Sequence, residues 1–568
     1  MEISMIQTRL IPRTDSAYAY PLLIKEILAQ STKYEPEHEI VYRDLFRYNY
    51  FGLNQRVRKL ANVLASVGVQ PGDTVAVFDW DSHRYLECFF AIPMMGAILH
   101  TINVRLSAAQ ILYTMNHAED KVVLIHEDFL PLLEAVKDQL TTVKKIILIT
   151  DRVYDKSQDM NLPQTSLHLD GEYETMLEKA SEQYAFPDFD ENTWATTFYT
   201  TGTTGNPKGV YFSHRQIFLH TLGITTFLGT YEAQGRLRSN DVYMPITPMF
   251  HVHAWGVPFV ATLLNIKQVY PGRYEPPMLI KLLVSEKVTL SHCVPTILQM
   301  LVSSPAVQNI DLTKWKVLIG GSALTKSLCE AALKLGIDIY AGYGMSETCP
   351  IMSATYLKER DRESDLATQL HYRTKAGSIA PFVDVRIIDE QGQFLPHDGK
   401  AIGEIVARAP WLTQGYFKEP EKSEELWRGG WLHTGDIASI TPENYIHIAD
   451  RAKDVIKTGG EWVSSLELEN LLSHVAGVAE AAVVGLPDDK WGERPNALIV
   501  LKPGYEGKVT ATSIKEFLQP WIEKGDITKW YLPDRVAFVS EIPKTSVGKI
   551  DKKRIRAEMQ EVFAKAEA

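Results

Sequence analysis

Cysteine is scarce in this chain: 568 residues include four, Cys88, Cys293, Cys329 and Cys349, scattered and without a CxxC pair. That pattern argues against a disulfide framework or a structural zinc site and fits a reducing, cytoplasmic setting. Long apolar runs are lacking too. Nothing approaches the ~18 residues of a membrane span. CFFAIPMMGAIL is interrupted by Pro93, and the opening MEISMIQTRLIPRTDS lacks the apolar stretch of a secretory signal. Positive charge is not in excess. The formal charge is -11, so no global field draws the chain to nucleic acid or an anionic membrane, and an anionic ligand must be held by local groups.

What is present is the composition of a soluble globular protein, 45% hydrophobic and 23% charged, and too long for one core. From Val75, β-rich runs alternate with helical stretches: VAVF, HRYLECFF, ILHTI, AAQILYTMNHA behind a Ser107 cap, KVVLI, LLEAVKDQL and KKIILIT. A second series follows Asp241: DVYMPIT, MLIKLLVSE, VTLSHCV, TILQMLV, KVLIG, SLCEAALKLG and IDIYAGY. Such alternation predicts parallel sheets covered by helices. After about Lys375 come shorter strands, SIAPFVDVRIID, GEIVARA and YIHIAD, separated by Gly, Pro and Asp; a Lys/Arg-rich segment begins at Asp450. The expected fold is α/β, with a large N-terminal domain (1–449) of two doubly wound α/β subdomains plus a β-rich subdomain. A small α+β C-terminal domain (450–568) follows.

The strongest local signal is Thr200-Thr-Gly-Thr-Thr-Gly-Asn-Pro-Lys-Gly209, between the β-like TWATTFY and SHRQIFLHTL, where Ser213 can cap a helix. Gly202, Gly205 and Gly209 permit tight bends with exposed N–H groups. The hydroxyls of Thr200, Thr201, Thr203 and Thr204 can donate to phosphate oxygens, and Lys208 adds positive charge. The loop suits a polyphosphate. It is not a Walker A loop, because Pro207 stands where that motif needs its second glycine; GGSALTKS at Gly320 fails similarly, at Thr325.

The loop resembles the signature of the adenylate-forming superfamily, which includes acyl-CoA synthetases, luciferases and peptide-synthetase adenylation domains. Further motifs follow in the family's order: Tyr343-Gly-Met-Ser-Glu-Thr348, Trp431-Leu-His-Thr-Gly-Asp436, Asp450-Arg-Ala-Lys-Asp454 and Pro543-Lys-Thr-Ser-Val-Gly-Lys549. The resemblance covers nearly the whole chain and points toward bacterial medium- and long-chain fatty acyl-CoA synthetases. It implies ATP, Mg²⁺ and coenzyme A as reaction partners and a mobile C-terminal domain. It assigns nucleotide contacts to Thr200, Thr201, Gly202, Thr203, Thr204, Lys208, Gly321, Ser322, Gly342, Tyr343, Gly344, Met345, Ser346, Asp436 and Arg451. Tyr343 has a ring that can stack on adenine, and Asp436 a carboxylate that can accept from both ribose hydroxyls. Glu347 and Thr200 would hold Mg²⁺, a hard cation that prefers oxygen. Lys549 would stabilise charge on the phosphates during adenylation; outside its motif, a lysine in a Lys-rich tail is ordinarily a solvated surface charge. Asp450 matches the hinge, and Lys457, Gly459, Gly460 and Trp462 the stretch that meets the CoA thiol.

Met249-Phe-His-Val-His-Ala-Trp255 resembles the acyl-binding motif of those synthetases. His251 matches a gate near the substrate carboxylate and Trp255 the tunnel-blocking indole, with Gly344 also beside the acid. His253 stands where relatives often have Asn. HVH alone reads as a metal pair without an obvious third ligand. The expected function is an ATP-dependent, AMP-forming fatty acid–CoA ligase, which makes an acyl-adenylate and then a thioester. Alternatives are a short-chain, thioether or aryl acid, or transfer to a carrier protein. Relatives often form homodimers, but the sequence shows no interface signal.

Overall fold

The computed structural model describes residues 9–154, 163–200, 206–230, 236–459, 461–525, 527–545, 549–558 and 560–564. The strands of these residues form three sheets. The first runs Gly171–Glu172, Lys145–Ile149, Asp120–His126, Thr74–Phe78, Ile98–Thr101, Trp194–Thr200, Lys208–Ser213, parallel except for the last pair. Its centre is buried on both faces, which is why VAVF and KVVLI read as near-continuous apolar runs. The covering helices begin where the side chains allow. Ser82 caps His83–Met94, and Ser107 with Gln110 forms a capping box on Ala108–Ala118. The helix expected over LLEAVKDQL is broken instead. Leu130–Glu134 is helical, Val136 turns out at φ -125°, ψ 0° with its side chain buried, and Lys137–Gln139 resumes as a 3₁₀ turn.

The second sheet starts from parallel strands Lys267–Tyr270, Val242–Ile246, Leu290–Cys293, Lys316–Ile319 and Asp338–Gly344. It does not stop where the β-rich texture begins. Antiparallel pairing carries the ladder on through Ile351–Ala354, Gly377–Ile379, Tyr445–Arg451, Leu432–Ile440, Gly403–Arg408 and Asp384–Ile388. The hairpin Glu39–Tyr42/Phe46–Asn49 closes the other edge. Buried charges fasten that hairpin to the first layer. Tyr48 donates to Glu87, Arg56 pairs with Glu87 and Glu174, and the fully buried Arg84 pairs with Glu174 and Asp151.

The third sheet comprises Ile456–Thr458, Glu461–Val463, Val478–Asp488, Gly492–Leu501 and Arg535–Phe538, with helices Ser465–Leu472 and Ala511–Glu523 packed on a separate apolar core. Helix Lys552–Glu558 follows the Lys549 loop. Among the described residues no helix is long and apolar enough to cross a membrane.

Candidate active site

The carboxyl ends of the second sheet's parallel strands, where open α/β sheets bind ligands, carry the groups brought together here. Lys316–Ile319 ends at Gly320 and Gly321, and Asp338–Gly344 delivers Tyr343. Gly344 has no room for a side chain, since a Cβ there would stand 1.8 Å from the Pro350 carbonyl oxygen. Tyr343 donates its hydroxyl to Asp436 Oδ2 at 2.7 Å, and Arg451 Nε pairs with Asp436 Oδ1 at 3.0 Å. The antiparallel register Asp436↔Arg451 sets that pair. Asp436 is buried and Tyr343 half-buried. The chain then bends into the 3₁₀ turn Ser346–Thr348, where Glu347 is buried and accepts the Tyr416 hydroxyl at 2.7 Å.

Lys549 arrives from the C-terminal segment. It lies against Gly321, whose φ of +81° favours glycine: a Cβ there would stand in ordinary contact with Lys549 Cε, at 3.4 Å. Burial lowers the Lys549 ammonium to a pKa of about 8, with Arg451 pushing the same way and Asp436 and Glu347 opposing. The lysine therefore feels Arg451, Asp436 and Glu347 at once, and it is mostly charged at neutral pH.

The described ends of the threonine-glycine motif, Thr200 and Lys208, lie on two antiparallel strands. Thr200 pairs with Lys208, and the strand Lys208–Ser213 precedes helix His214–Thr230. This corrects the expectation that the loop leads straight into a helix. KGVYFS alternates as a strand does, and Ser213 with Gln216 closes a capping box only afterwards. Lys208 Nζ stands 4.4 Å above the Tyr416 ring. Thr201, Gly202, Thr203, Thr204 and Gly205 lie outside the described residues.

On the acyl side, burial and then Lys549 and Arg105 lower His251 to about 3, so its imidazole is neutral. After it the backbone turns left-handed for five residues: Val252, His253, Ala254 and Trp255 at φ 47–59°, then Gly256 at φ 73°. Four of these carry a Cβ, at a cost of about 1–2 kcal/mol each. The turn sends the two histidines apart. His251 is near enough to Lys549 for that charge to lower it, whereas the fully buried His253 ring sits among Phe89, Phe198, Phe212 and Phe259. Trp255 is buried, stacks on His292 with centroids 4.8 Å apart, and lies where a Cβ on Gly320 would meet its ring at 2.9 Å. His292 is held between the Tyr243 and Thr247 hydroxyls, at 2.6 Å each.

Ser322 is exposed at the rim; Gly342, Met345 and Ser346 are half-buried beside Tyr343. The hairpin with Lys457 and Gly459 is not gathered into this cluster. Lys457 pairs with Glu390 and registers with Trp462, while Gly459 donates its N–H to Trp491 and faces the Trp530 ring. Gly460 lies outside the described residues. Asp450 receives the N–H and hydroxyl of Ser465.

Residues 28–417 match the AMP-binding enzyme family and residues 467–549 the AMP-binding enzyme C-terminal domain. The chain belongs to the AMP-binding enzyme family. Over 526 residues it is 39% identical to the long-chain-fatty-acid–CoA ligase of Thermus thermophilus, covering 92% of each chain. Over 552 residues it is 36% identical to the 3-methylmercaptopropionyl-CoA ligase of Ruegeria lacuscaerulensis, covering 96% of this chain and 98% of that one. Its fold is that of the crystal structure of the anthranilate CoA ligase AuaEII in complex with anthranoyl-AMP, with a TM-score of 0.80 at 23% identity over 94% of this chain and 97% of the other. As an AMP-binding enzyme of this group, the chain is an acid–thiol ligase of the AMP-forming class.

In this AMP-binding enzyme, three site residues escaped sequence reasoning. Tyr416 touches both Glu347 and Lys208, and His292 supports Trp255; each lies far along the chain from its partner, so no local pattern marks it. Asp81 accepts the Met249 N–H at 2.8 Å and the Tyr274 hydroxyl, anchoring the acyl segment. It follows the end of strand Thr74–Phe78, and an acidic residue just past the carboxyl end of an expected parallel strand was the available signal.

Proposed function

We propose that this chain is an ATP-dependent fatty acid–CoA ligase, with residues 1–449 forming the ATP and acyl sites and 450–568 a mobile domain that swings about Asp450. The observation that carries the reading is Lys549 standing against Gly321, near enough to Arg451, Asp436, Glu347 and His251 for its charge to act on or be acted on by each. In the first step a carboxylate oxygen of the acid attacks the α-phosphorus of ATP. Its new P–O bond replaces the bond to pyrophosphate, which leaves with the bond's electrons. Lys549, as an ammonium, offsets the charge on the transferring oxygens. Neutral His251 lines the acid's carboxylate without adding a competing charge. Asp436, paired with Arg451, takes the ribose hydroxyls, Tyr343 backs the adenine, and Thr200 to Thr204 with Lys208 embrace the phosphates, aided by backbone at Gly321, Ser322, Gly342, Gly344, Met345 and Ser346.

The donor set suits Mg²⁺. Glu347 accepts Tyr416 on one oxygen and keeps a second, Thr200 adds a hydroxyl, and nucleotide phosphates complete the oxygen shell that this ion prefers. When bound, the ion would neutralise phosphate charge. In the second step the C-terminal domain turns, Lys457, Gly459, Gly460 and Trp462 line the approach of CoA, and the thiol displaces AMP from the acyl carbon.

One observation supports a second reading of the acid. The Tyr243–His292–Thr247 set behind Trp255 is polar, and a neutral imidazole supplies one N–H to two hydroxyls, leaving one proton without a partner inside the trio. A shorter acid ending in a weak acceptor such as a thioether would match that spare proton. Acid-dependent, CoA-dependent pyrophosphate release across octanoate, dodecanoate, 3-(methylthio)propionate and benzoate is the test. A preference for octanoate or dodecanoate supports the first reading, and a preference for the thioether acid the second. Release without CoA but with an acyl-carrier protein would sink both.

A further inference from the structure

Outside the nucleotide and acyl groups, helix Lys552–Glu558 is strapped to the segment that leaves the large sheet at Asp450. Two cations, four residues apart and so on one helix face, make the attachment. Lys552 is 9% exposed; its Nζ donates to Ser465 Oγ at 2.5 Å and pairs with Glu469 at 2.8 Å. Ser465 donates its hydroxyl to Asp450 Oδ2 at 2.5 Å and its N–H to the same oxygen at 2.6 Å, so donation runs Lys552 to Ser465 to Asp450 without a gap. Arg556 pairs with Asp454 at 2.7 Å and reaches the Lys453 carbonyl.

The same helix follows the Lys549 loop with no slack. Thr545 donates its N–H to the Lys549 carbonyl at 2.7 Å, the Lys549 N–H returns to Thr545 Oγ1 at 3.2 Å, and Asp551 donates to the Pro543 carbonyl at 2.8 Å. Two residues, Ile550 and Asp551, separate Lys549 from Lys552, so the chain between them spans at most ~10 Å. Glu469 also accepts the Val483 N–H, which ties the strap into the C-terminal sheet.

We infer that Lys552 and Arg556 are positioning residues for adenylation: they lock the loop carrying Lys549 to residues 450–454, so that setting the backbone at Asp450 and inserting Lys549 beside Gly321 are one motion. This rests on the two-step reading above. Without Lys552, Asp450 and Glu469 are left as buried carboxylates sharing no cation, and the loop loses its fixed distance to the segment about which the domain would turn.

The test separates the half-reactions. Acid-dependent ATP–pyrophosphate exchange, and CoA thioester formation from a supplied acyl-adenylate, are measured on the full chain and on Lys552→Met, Lys552→Arg and Arg556→Met. Misplacement of a reacting group by about an ångström can cost ~10²-fold, so exchange should fall at least ~10-fold in Lys552→Met and ~3-fold in Arg556→Met, with thioester formation within ~3-fold of the parent. Lys552→Arg, keeping the cation, should recover most of the exchange. Equal loss of both half-reactions, or loss in neither, would overturn the inference. If Lys552→Met does not fold, the half-exposed Arg556→Met decides by the same split. A parent protein with no acid-dependent exchange would instead overturn the two-step reading itself.

Discussion

On the nucleotide side of the site, every charged group described has an answering group: Asp436 lies between Tyr343 and Arg451, Glu347 takes the Tyr416 hydroxyl, and Lys208 covers the Tyr416 ring. On the acyl side, His251 and His253 are neutral, both lowered to about 3 by burial, and Trp255 lies flat on the equally neutral His292. There the constraint is in the backbone, five left-handed residues in succession. The contrast separates two ways of holding a site ready. Paired groups can be exchanged for ligand atoms one for one. The left-handed turn, whose His253 ring nitrogens are buried without a hydrogen-bond partner, responds instead through its torsions.

Removing the cation that borders both sides is the severest way to break this contrast. Lys549→Ala should slow adenylation ~10²–10⁴-fold while thioester formation from supplied acyl-adenylate survives; separate assays of the two half-reactions check it. A milder break is confined to the nucleotide side. Tyr416→Phe should raise the Mg²⁺ concentration for half-maximal adenylation ~10–100-fold with little change in the acid's KM, read by titrating the metal at fixed acid. A third concerns charge. Lys549 works as an ammonium and its pKa is depressed to about 8, so kcat/KM for adenylation should level off below pH 7 and decline above pH 8, by about tenfold per unit. A Lys549→Arg variant, whatever its absolute rate, should lose that decline. The smallest effect sharpens the acyl side. Ala254→Gly, at φ 47°, should gain about 1 kcal/mol of stability by relieving strain, seen as a higher denaturant midpoint, with metal requirement and pH profile unmoved. A shift in either would mean that the two sides are not separable.

Much of the scaffold was legible because parallel strands buried on both faces must be apolar throughout, and because Ser107 with Gln110 is a cap recognisable from two residues. The motifs at Tyr343, Glu347, Asp436, Arg451 and Lys549 were legible as patterns, and the fold brings them to one sheet edge. What escaped depends on contacts distant in sequence. Tyr416 meets Glu347 across 69 positions, and nothing near it announces a carboxylate. The strand Lys208–Ser213 was hard to read because its apolar alternation rests on Val210 and Phe212 alone before the Ser213 cap begins a helix. HVHAW contains no glycine, so local propensity gives no reason for left-handed torsion; burying His253 among phenylalanines while Trp255 reaches His292 accompanies it. LLEAVKDQL failed as a helix because Val136 is buried outside the helical torsions.

Arg451 comes directly after Asp450, and its guanidinium is what balances the Asp436 carboxylate. Should the backbone pivot there, the positive charge is dragged off Asp436 by the same turn that withdraws Lys549 from the phosphates. Nucleotide grip and domain orientation would then share one dial, so that letting go of spent AMP begins with the rotation that admits the thiol.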